Sequence, residues 1–585
     1  NSYAIGAKVK AYVGDQIINR QLIPTRGFQS SIDYLVSIGL GTHRTVDSLV
    51  VVWPDRQRSR IERPAIDQIL EVDYPTAERR PARDFAGSPP TLFEAVDHDF
   101  VAHEEDDFID FYFERNVPVM VSHDGPRAGL GDVNGDGRED LYIGGAAGQA
   151  GRLYLRTDEG WVASGTEFWE TMNVFEDTAV RFFDADGDGD LDLFVGSGGN
   201  HQPSLTREMQ DRLYRNDGQG NFSLAPSAFP TNGMNTSVAA PYDFDGDGDL
   251  DLFVGSRSRP NDYGRSPESY LYENDGQGNF TDWGKKQNPR FSRLGLVTDA
   301  DWIDLTGDGQ RELVVVGEWM SPLAYRFVDG RFEKLSSNLG DYPGWWYSLA
   351  HADLDGDGDE DLFLGNLGEN FYLRTDAEHP LKLWMNDFDQ NGSVDKVITR
   401  TIAGRDMPVP LKKDLAEQVV ALKKQNLRHE SYADKAIQDL FSKAGISEAI
   451  VKQANYLSSS VAINLGDGQF ELRPLPAEVQ LSCVNDALFT DLNADGRPDL
   501  VLGGNNHGFL PQFSRLDASI GQVLLNDGRG NFSVQDSRRM GLRLSGEVKQ
   551  LSEWQWAGER YLLALRNDAA PLLYRLSKRA KDFFQ

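Results

Sequence analysis

The sequence predicts an all-β protein built as a β-propeller of seven blades, with eight blades as the alternative, behind a small N-terminal β domain. Three observations support this prediction. An acidic loop with the spacing Asp-x-(Asp/Asn/Thr)-x-(Asp/Asn)-Gly-x-x-(Asp/Glu) recurs seven times, and each copy runs into an apolar strand. Hairpins with Gly-rich turns, several of them Asn-Asp-Gly, follow most copies. The repeat length of roughly fifty residues suits a blade of four antiparallel strands.

Each acidic loop has the ligand spacing that a hard divalent cation requires. In the third copy, Asp243, Asp245 and Asp247 occupy positions 1, 3 and 5, so one turn can direct their carboxylates to a common centre. The main-chain carbonyl of Asp249 at position 7 and the carboxylate of Asp251 at position 9 complete the set. Glycines at positions 4 and 6 permit the positive φ angles of such a turn. Oxygen ligands at alternating positions predict Ca²⁺, with up to seven ions per chain.

The same five positions are assigned in all seven copies. Positions 1, 3, 5 and 9 offer side-chain oxygens, and position 7 offers its main-chain carbonyl. The predicted metal ligands are Asp132, Asn134, Asp136, Arg138 and Asp140; Asp184, Asp186, Asp188, Asp190 and Asp192; Asp243, Asp245, Asp247, Asp249 and Asp251; Asp304, Thr306, Asp308, Gln310 and Glu312; Asp353, Asp355, Asp357, Asp359 and Asp361; Asp387, Asp389, Asn391, Ser393 and Asp395; and Asp491, Asn493, Asp495, Arg497 and Asp499. Seven repetitions of one spacing make incidental acidic turns a poor explanation.

Two copies depart from the common pattern, and we expect them to hold a cation most weakly. In one, Thr306 replaces the position-3 carboxylate and Glu312 lengthens the position-9 side chain. In the other, Gln390 occupies position 4, where most copies have glycine. All seven loops differ from EF-hands, because position 12 is an apolar strand residue and not a bidentate glutamate. The cation is therefore expected to tie a loop to a strand.

The spacing of the loops sets the number of blades. The loop at Asp387 follows the one at Asp353 unusually closely, and the next loop, at Asp491, comes unusually late. We therefore place the Asp387 loop inside the blade that begins near Asp353. A final unit at 548–576 has the strand pattern without a cation loop, which gives seven blades; an independent Asp387 unit gives eight. Residues 98–122 are expected to supply the strand that closes the ring.

Domain boundaries follow from periodicity and composition. Residues 1–80 alternate as a small β domain, residues 81–97 form a linker, and residues 98–585 form the propeller. Residues 406–456 carry apolar side chains at helical spacing and predict a helical insertion within one blade. The insertion is rich in Lys and Arg, which predicts a solvated basic face, with a docking surface as the less favoured interpretation.

Composition limits the partners of the chain. The formal net charge is −32, from 91 Asp and Glu against 59 Lys and Arg, which argues against nucleic acid or anionic lipid as a main partner. Cys483 is the only cysteine, so no internal disulfide can form and cations are expected to provide the cross-links. No stretch is long and apolar enough to span a bilayer. Because the chain opens directly into strand-like sequence without Met, we expect a piece of a longer protein or a complex.

The motifs resemble a known family of repeats. The Asp-x-Asp-x-Asp-Gly-x-x-Asp-Leu loop followed by an Asn-Asp-Gly-x-Gly-x-Phe hairpin resembles the FG-GAP/VCBS repeat of integrin-α-type propellers. Residues 4–9, 38–41 and 52–54 resemble the ASPIC/UnbV module that accompanies such repeats in cartilage acidic protein-like proteins. The arrangement is similar to VCBS-repeat proteins of Bacteroidota-type bacteria. This resemblance implies calcium-binding repeats and an extracellular or cell-surface location, but no particular activity.

The leading functional hypothesis is a non-catalytic, calcium-stabilised extracellular binding or scaffold protein that acts on a protein or glycan at the cell surface, in glycan capture or surface assembly. A calcium-dependent polysaccharide lyase or glycosidase is the alternative from another class, and a cell-adhesion module is the third. The sequence contains no nucleophile elbow, no His-Glu-x-x-His and no P-loop, so no catalytic residue is assigned. The enzyme alternative depends on candidates outside the loops, namely residues 104–107, Glu318, His201, His351 and His507.

Overall fold

Four-stranded antiparallel sheets make up most of the protein. The structure, a computed structural model, describes residues 3–55, 57–74, 91–287 and 291–577. The chain divides into two units, Asn1–Pro90 and Thr91–Gln585. The second unit consists of successive sheets of the same design, so the predicted all-β propeller class is confirmed.

The first unit contains one four-stranded sheet and a short hairpin. The strands of the sheet lie in the order Gln16–Gln21, Lys8–Val13, Ser48–Val52 and Arg58–Glu62, and the hairpin pairs Thr25–Gly27 with Ser30–Ser31. Alternation along Lys8–Val13 buries Ala11 and Val13, which are each 1% exposed.

Seven groups of four antiparallel strands, here called blades 1 to 7, make up most of the second unit, and blades 4 and 5 are joined into one eight-stranded sheet by the pairing of Glu318 with Trp345 and of Met320 with Gly344. From the inner to the outer strand they are Ala128–Gly131, Asp140–Ile143, Arg152–Thr157 and Gly160–Ser164; Asp177–Phe183, Asp192–Ser197, Arg212–Asn216 and Phe222–Leu224; Asn235–Tyr242, Asp251–Ser258, Tyr270–Glu273 and Thr281–Asp282; Leu296–Ile303, Glu312–Met320, Leu323–Val328 and Arg331–Lys334; Gly344–Ala352, Asp361–Asn366, Ser460–Asn464 and Phe470–Pro474; Val484–Thr490, Asp499–Gly504, Gln522–Asn526 and Phe532–Val534; and Glu547–Trp556, Glu559–Asn567, Leu572–Leu576 and Phe93–Ala95. Each acidic loop of blades 1 to 6 joins the first strand to the second. Apolar side chains fill the spaces between neighbouring blades.

The ring is closed by a strand from the beginning of the unit. Phe93–Ala95 pairs with Leu572–Leu576 as the outer strand of blade 7, although the sequence placed these residues in the linker. Blade 1 then meets blade 7 directly, because Ala128 N–H donates to Gln550 Oε1 at 2.8 Å. The expectation that residues 98–122 close the ring is wrong. Residues 98–122 contact the blades from one face instead, where Val119 forms an isolated β-bridge with Phe509.

Residues 98–124, here called the cap segment, cross the face opposite the acidic loops of the blades. Met120 N–H donates to Gly508 O of blade 6 at 2.8 Å, and Asn200 of blade 2 donates to the Asp110 carboxylate at 2.6 Å. Val119 is fully buried, and Val117 and Val121 are each 2% exposed, in an apolar cluster on this face. The cap segment therefore covers one end of the propeller axis.

A β-bulge at the same place in six inner strands directs a side chain to the axis. These residues, here called the bulge ring, are Thr178, Ser237, Thr298, Tyr347, Asn485 and Lys549. Most of them donate to a main-chain carbonyl of the next blade: Ser237 Oγ bonds Val297 O at 2.7 Å, and Thr178, Thr298 and Asn485 make the equivalent bonds. The bulge ring thus joins neighbouring blades around the axis.

The Asp387 loop lies in a separate sheet inserted between the second and third strands of blade 5. The strands of this sheet lie in the order Arg405–Pro408, Asp395–Ile402, Leu381–Asn386 and Ile450–Ala454. Five short helices follow within it, at Lys412–Gln418, Ala421–Gln425, His429–Ala433, Ile437–Leu440 and Lys443–Ser447. They bury Leu415, Leu422 and Ile437 against the sheet residues Trp384 and Val397. The described helices outside the insertion are Asp110–Phe113, Thr166–Glu170, Trp283–Gln287 and Ser537–Met540, with 3-10 turns at Arg207–Met209, Phe291–Arg293, Asn338–Asp341, Val479–Leu481 and Pro511–Phe513.

The closing strand gives a direct test of ring closure. Phe93 is 1% exposed and packs edge-on against Tyr574. The substitution Phe93→Ala should therefore lower the free energy of unfolding of the propeller by about 3–5 kcal/mol. Glu94→Ala on the same strand removes an exposed ion pair with Arg575 and should cost less than about 1 kcal/mol. Denaturant unfolding in calcium buffer measures both. Equal effects of the two variants would contradict this route of closure.

Candidate metal centres

The seven acidic loops share one set of backbone hydrogen bonds. The position-1 carboxylate accepts the N–H of position 6 in every copy, and the position-5 side chain accepts the N–H of position 7. In the third copy these bonds join Asp243 Oδ2 to Gly248 N at 3.1 Å and Asp247 Oδ1 to Asp249 N at 3.2 Å. Gly246 and Gly248 have φ angles of 79° and 102°, as the turn was expected to require.

The position-9 carboxylate connects the loop to the sheet. It is no more than 1% exposed in any copy, and one of its oxygens always accepts the N–H of loop position 2. In five copies the other oxygen accepts a main-chain N–H from the third strand of the same blade or from the residue directly after it, as Asp251 does from Asn274 at 3.0 Å. Each oxygen keeps a lone pair that can bind a cation.

Asparagine side chains connect the loops of successive blades. Asn274, at the turn of the blade 3 hairpin, donates to the carbonyl of Ala185 in the blade 2 loop at 2.9 Å. The equivalent bonds run from Asn216 to Val133, from Asn464 to Leu305 and from Asn526 to Leu354. The Asn-Asp-Gly motif therefore has a second role beyond forming a hairpin, since it holds neighbouring loops in register.

Four loops bring three carboxylates close enough to share one ion. In each set the ligand oxygens lie within 4.8 Å of one another: Asp184, Asp186 and Asp192; Asp243, Asp245 and Asp251; Asp353, Asp355 and Asp357; and Asp387, Asp389 and Asp395. The other three copies have Asn134, Thr306 or Asn493 at position 3, so a neutral oxygen replaces one carboxylate there.

Unpaired buried oxygens in these loops fit a hard cation. Asp186, Asp355 and Asp389, all at position 3, have a buried Oδ1 that accepts no hydrogen bond from the described residues, and so does Asp249 at position 7. Burying a carboxylate oxygen without a partner is costly unless a cation or a donor reaches it. Carboxylate, amide, hydroxyl and carbonyl oxygens are the ligands that Ca²⁺ takes, and softer metals prefer sulfur or imidazole.

Burial makes the position-9 carboxylates hard to ionise without a cation. It raises the pKa of Asp192 and of Asp361 to about 6 and that of Asp251 to about 8, against the opposing effect of the backbone N–H bonds. Neighbouring loop carboxylates raise these pKa values further. A bound divalent cation would favour the ionised form of the whole cluster.

The two loops expected to be weakest differ in the structure. In the Asp387 loop, Gln390 adopts the positive φ of 60° that position 4 demands, and its three carboxylates converge as closely as in other copies. This loop also gains an amide bond from the insertion, because Gln418 donates to Asp395 Oδ1 at 2.9 Å. In the Asp304 loop, the longer Glu312 side chain accepts the N–H of Leu305 at 2.9 Å. Their lower affinity stays a prediction.

The candidates for catalysis outside the loops lie at separate places. Glu318 is fully buried, where it accepts from Arg257 at 2.6 Å and from Tyr263 at 2.7 Å. His351 lies between Glu360 and Asp301, and hydrogen bonding to Asp301 raises the pKa of its imidazole. His201 and His507 are elsewhere on the cap side, and burial lowers the pKa of each.

A buried acid cluster under the cap segment was only partly anticipated. Glu105, within the predicted range 104–107, approaches His103, and Glu176 joins them from blade 2. Burial raises the pKa of Glu105 to about 8 and that of Glu176 well above its usual range, and it lowers the pKa of His103 to about 3. Glu176 and His103 carry no motif, so sequence alone gave no signal for them.

Comparison with known proteins identifies two kinds of region. Residues 1–79 match the ASPIC and UnbV family, and the FG-GAP-like repeat matches residues 132–195, 198–254, 243–315 and 304–364. No curated protein matches the chain. Solved structures that match the chain distantly include the V. cholerae biofilm matrix protein Bap1 (12% identity, 84% of this chain and 92% of that chain covered, TM-score 0.33). Another is the Dos1 propeller, with 8% identity, 80% of this chain and 96% of that chain covered, and a TM-score of 0.35. A third is YCF48 bound to D1 peptide, with 9% identity, 83% of this chain and 100% of that chain covered, and a TM-score of 0.36. Similarities this distant carry no argument about function.

Two substitutions in one loop separate cation binding from loop folding. Asp186→Asn changes a position-3 carboxylate whose Oδ1 is unpaired, so it should weaken cation binding, and the loss of the ion pair between Oδ2 and Arg215 should cost the chelated protein less than about 1 kcal/mol. Asp192→Asn places an amide where both oxygens accept backbone N–H groups, so it should cost about 1–3 kcal/mol with or without cation. Thermal unfolding in calcium and in chelator measures both. A loss for Asp186→Asn in chelator as large as that in calcium would contradict the assignment.

The stability of the chelated protein should rise on mild acidification. The folded-state pKa of Asp140, Asp192, Asp361 and Asp499 is raised to about 6 by burial, above the usual unfolded value. The folded state then binds protons more tightly than the unfolded state, so stability increases as pH falls through 6. With calcium present, protons compete with the cation and the trend should reverse. Melting temperatures from pH 7.5 to 5 in calcium and in chelator measure the sign. The same trend in both would contradict cation binding at these carboxylates.

Proposed function

We propose that this chain, in which FG-GAP-like repeats follow an ASPIC and UnbV region, is a non-catalytic, calcium-stabilised binding or scaffold protein of the cell exterior. The observation that carries the proposal is the set of converging loop carboxylates with buried, unpaired oxygens. A divalent cation at each loop offsets the repulsion between them and binds the folded state alone, so it stabilises the propeller.

Calcium suits these loops better than magnesium. Ligands from positions 1, 3, 5, 7 and 9 supply several oxygens from a flexible turn, which matches the variable coordination of Ca²⁺. Magnesium demands a stricter octahedron and keeps several of its waters. The central residues of each loop are exposed or half-exposed, so ions can exchange with the surroundings.

The partner is proposed to be a protein or a glycan at the cell surface. A net charge of −32 favours partners without strong negative charge, since polyanions would be repelled. In the described part of the chain, no helix combines the length and the hydrophobicity needed to cross a membrane.

The enzyme alternative keeps one specific candidate. His351 is 30% exposed at its side chain and contacts Glu360 at 2.9 Å, with Asp301 at 3.6 Å on its other nitrogen. An imidazole between two carboxylates can act as a proton donor or acceptor toward a polysaccharide. If turnover is observed, His351, Glu360 and Asp301 are the first residues to substitute.

The proposal is tested by metal content, melting and binding of the purified chain. We expect several calcium ions per chain by elemental analysis, a large fall in melting temperature with EGTA, and recovery with Ca²⁺ but not with Mg²⁺. Surface glycans or proteins should be captured in calcium and released by EGTA, and calcium-dependent self-association would indicate the adhesion role. An unchanged melt in EGTA would refute the cation scaffold. Unsaturated or reducing ends released from a polysaccharide panel would refute the non-catalytic part.

A further inference from the structure

A polar channel runs along the propeller axis and is closed at one end. The bulge ring lines a small chamber of about 40 Å³ at this end, together with Arg127, Arg257 and Asp124. Thr178 is 2% exposed and Lys549 is 7% exposed, and Lys549 Nζ donates to the carbonyl of His123 in the cap segment at 2.8 Å. The cap segment therefore seals the channel here.

The channel widens beyond the chamber into a cavity of about 200 Å³. Side chains become more exposed in the direction of the acidic loops: Thr298 is 7% exposed, whereas the side chain of Asp301 in the same strand is 47% exposed. Arg181, in the inner strand of blade 2, is also exposed. A solute can therefore enter from the face that carries the acidic loops.

Two guanidinium groups face this cavity without a carboxylate partner. Arg127 donates through Nη1 to Lys549 O at 2.7 Å, and its Nε is buried without an acceptor. Arg181 donates through Nε to Ala239 O at 3.0 Å. Neither arginine forms an ion pair within the described ranges, although carboxylates line the same cavity. Tyr347, at 9% exposure, adds a hydroxyl that is buried without a partner.

Three carboxylates line the cavity from other blades: Asp299 and Asp301 of blade 4 and Asp486 of blade 6, of which Asp301 also lies 3.6 Å from the His351 imidazole. Asp299 of blade 4 accepts the N–H of Leu349 at 2.8 Å, and Asp486 of blade 6 accepts the N–H of Leu551 at 2.6 Å. Burial raises the pKa of Asp299 to about 7 and also raises that of Asp486, in spite of these bonds and of Arg127. Both carboxylates would gain from a cationic group placed beside them.

We propose that the axial cavity binds a small zwitterion of amino-acid size, with its carboxylate on Arg127 and Arg181 and its ammonium group on Asp299 and Asp486. The inference goes beyond the cation scaffold, and its failure would leave the metal assignment untouched. Opposite charges that line one cavity without touching leave room for a ligand that bridges them. A guanidinium pair recognises a carboxylate through charge-assisted bonds, which are about twice as strong as neutral ones.

A zwitterion fits this cavity better than a simple ion does. A simple anion would satisfy the arginines but would lie close to Asp299 and Asp486, and a simple cation would be repelled by the arginines. In a site of reduced dielectric, like charges brought together cost more than they do in water. The cavity of about 200 Å³ admits a molecule of a few heavy atoms but excludes a folded chain or an extended polysaccharide.

Titration calorimetry of the full chain in calcium buffer tests the proposal. The probes are glycine, glutamate and lysine, with acetate, ethylamine and glucuronate as comparison ligands that lack one of the two charges. We expect saturable binding of at least one amino acid, and binding at least about tenfold weaker for each comparison ligand. No saturable binding of any amino acid, or equal binding of acetate or glucuronate, would overturn the proposal.

Variants locate the site. Arg181→Gln removes an exposed guanidinium, and Asp299→Asn removes a charge and leaves one acceptor oxygen for the two N–H groups, of Ala300 and Leu349, that now donate to Asp299. Each should weaken amino-acid binding about tenfold or more. Arg152→Gln, on an outer strand of blade 1, is the matched control and should bind as the original chain does. Because Arg181 is exposed, its variant keeps the test decisive if Asp299→Asn folds poorly. Unchanged affinity in Arg181→Gln would overturn the site.

Discussion

Repulsion between carboxylates that the backbone forces together is the constraint on which this propeller depends. Backbone N–H groups hold the position-1 and position-9 side chains in fixed places, so the loop cannot relax by turning them away. In four copies the carboxylates lie within 4.8 Å of one another, and buried oxygens lack partners. Protonation or a cation must compensate for this arrangement. At neutral pH a divalent cation is the stronger compensation, because it neutralises several charges at once.

The loops and the bulge ring connect the blades at two levels of the inner strands. On the loop face, hairpin asparagines bond the loop of the preceding blade, as Asn274 does with Ala185. Towards the cap segment, bulge-ring side chains such as Ser237 bond the next inner strand. Apolar clusters between blades lie between these two sets of bonds. A cation bound at a loop, as we propose, would therefore act on contacts between blades as well as on a single turn.

The same architecture explains why the axis is available for a ligand. The bulges turn polar side chains inward, four of them short, and these leave a cavity that bulky apolar residues would have filled. The cap segment closes the other end through main-chain and ion-pair contacts, including the pair between Asp124 and Arg257. Structural cations at the loops and a ligand on the axis thus use different residues, so the two proposals can succeed or fail separately.

Features that depend on local spacing could be predicted from the order of the amino acids. The acidic loops, the Asn-Asp-Gly hairpins, the final blade without a loop and the interruption near Asp387 all follow from residues a few positions apart, because turn geometry and ligand spacing are properties of one short segment. The pairing of distant segments, in contrast, is visible only in the folded chain. Phe93–Ala95 pairs with Leu572–Leu576, Ala128 bonds Gln550, and Glu176 lies beside residues of the cap segment. These contacts exist only once the ring has closed. They join residues far apart in the sequence. The burial of these side chains, and therefore their charge and pairing, cannot be predicted from any local pattern.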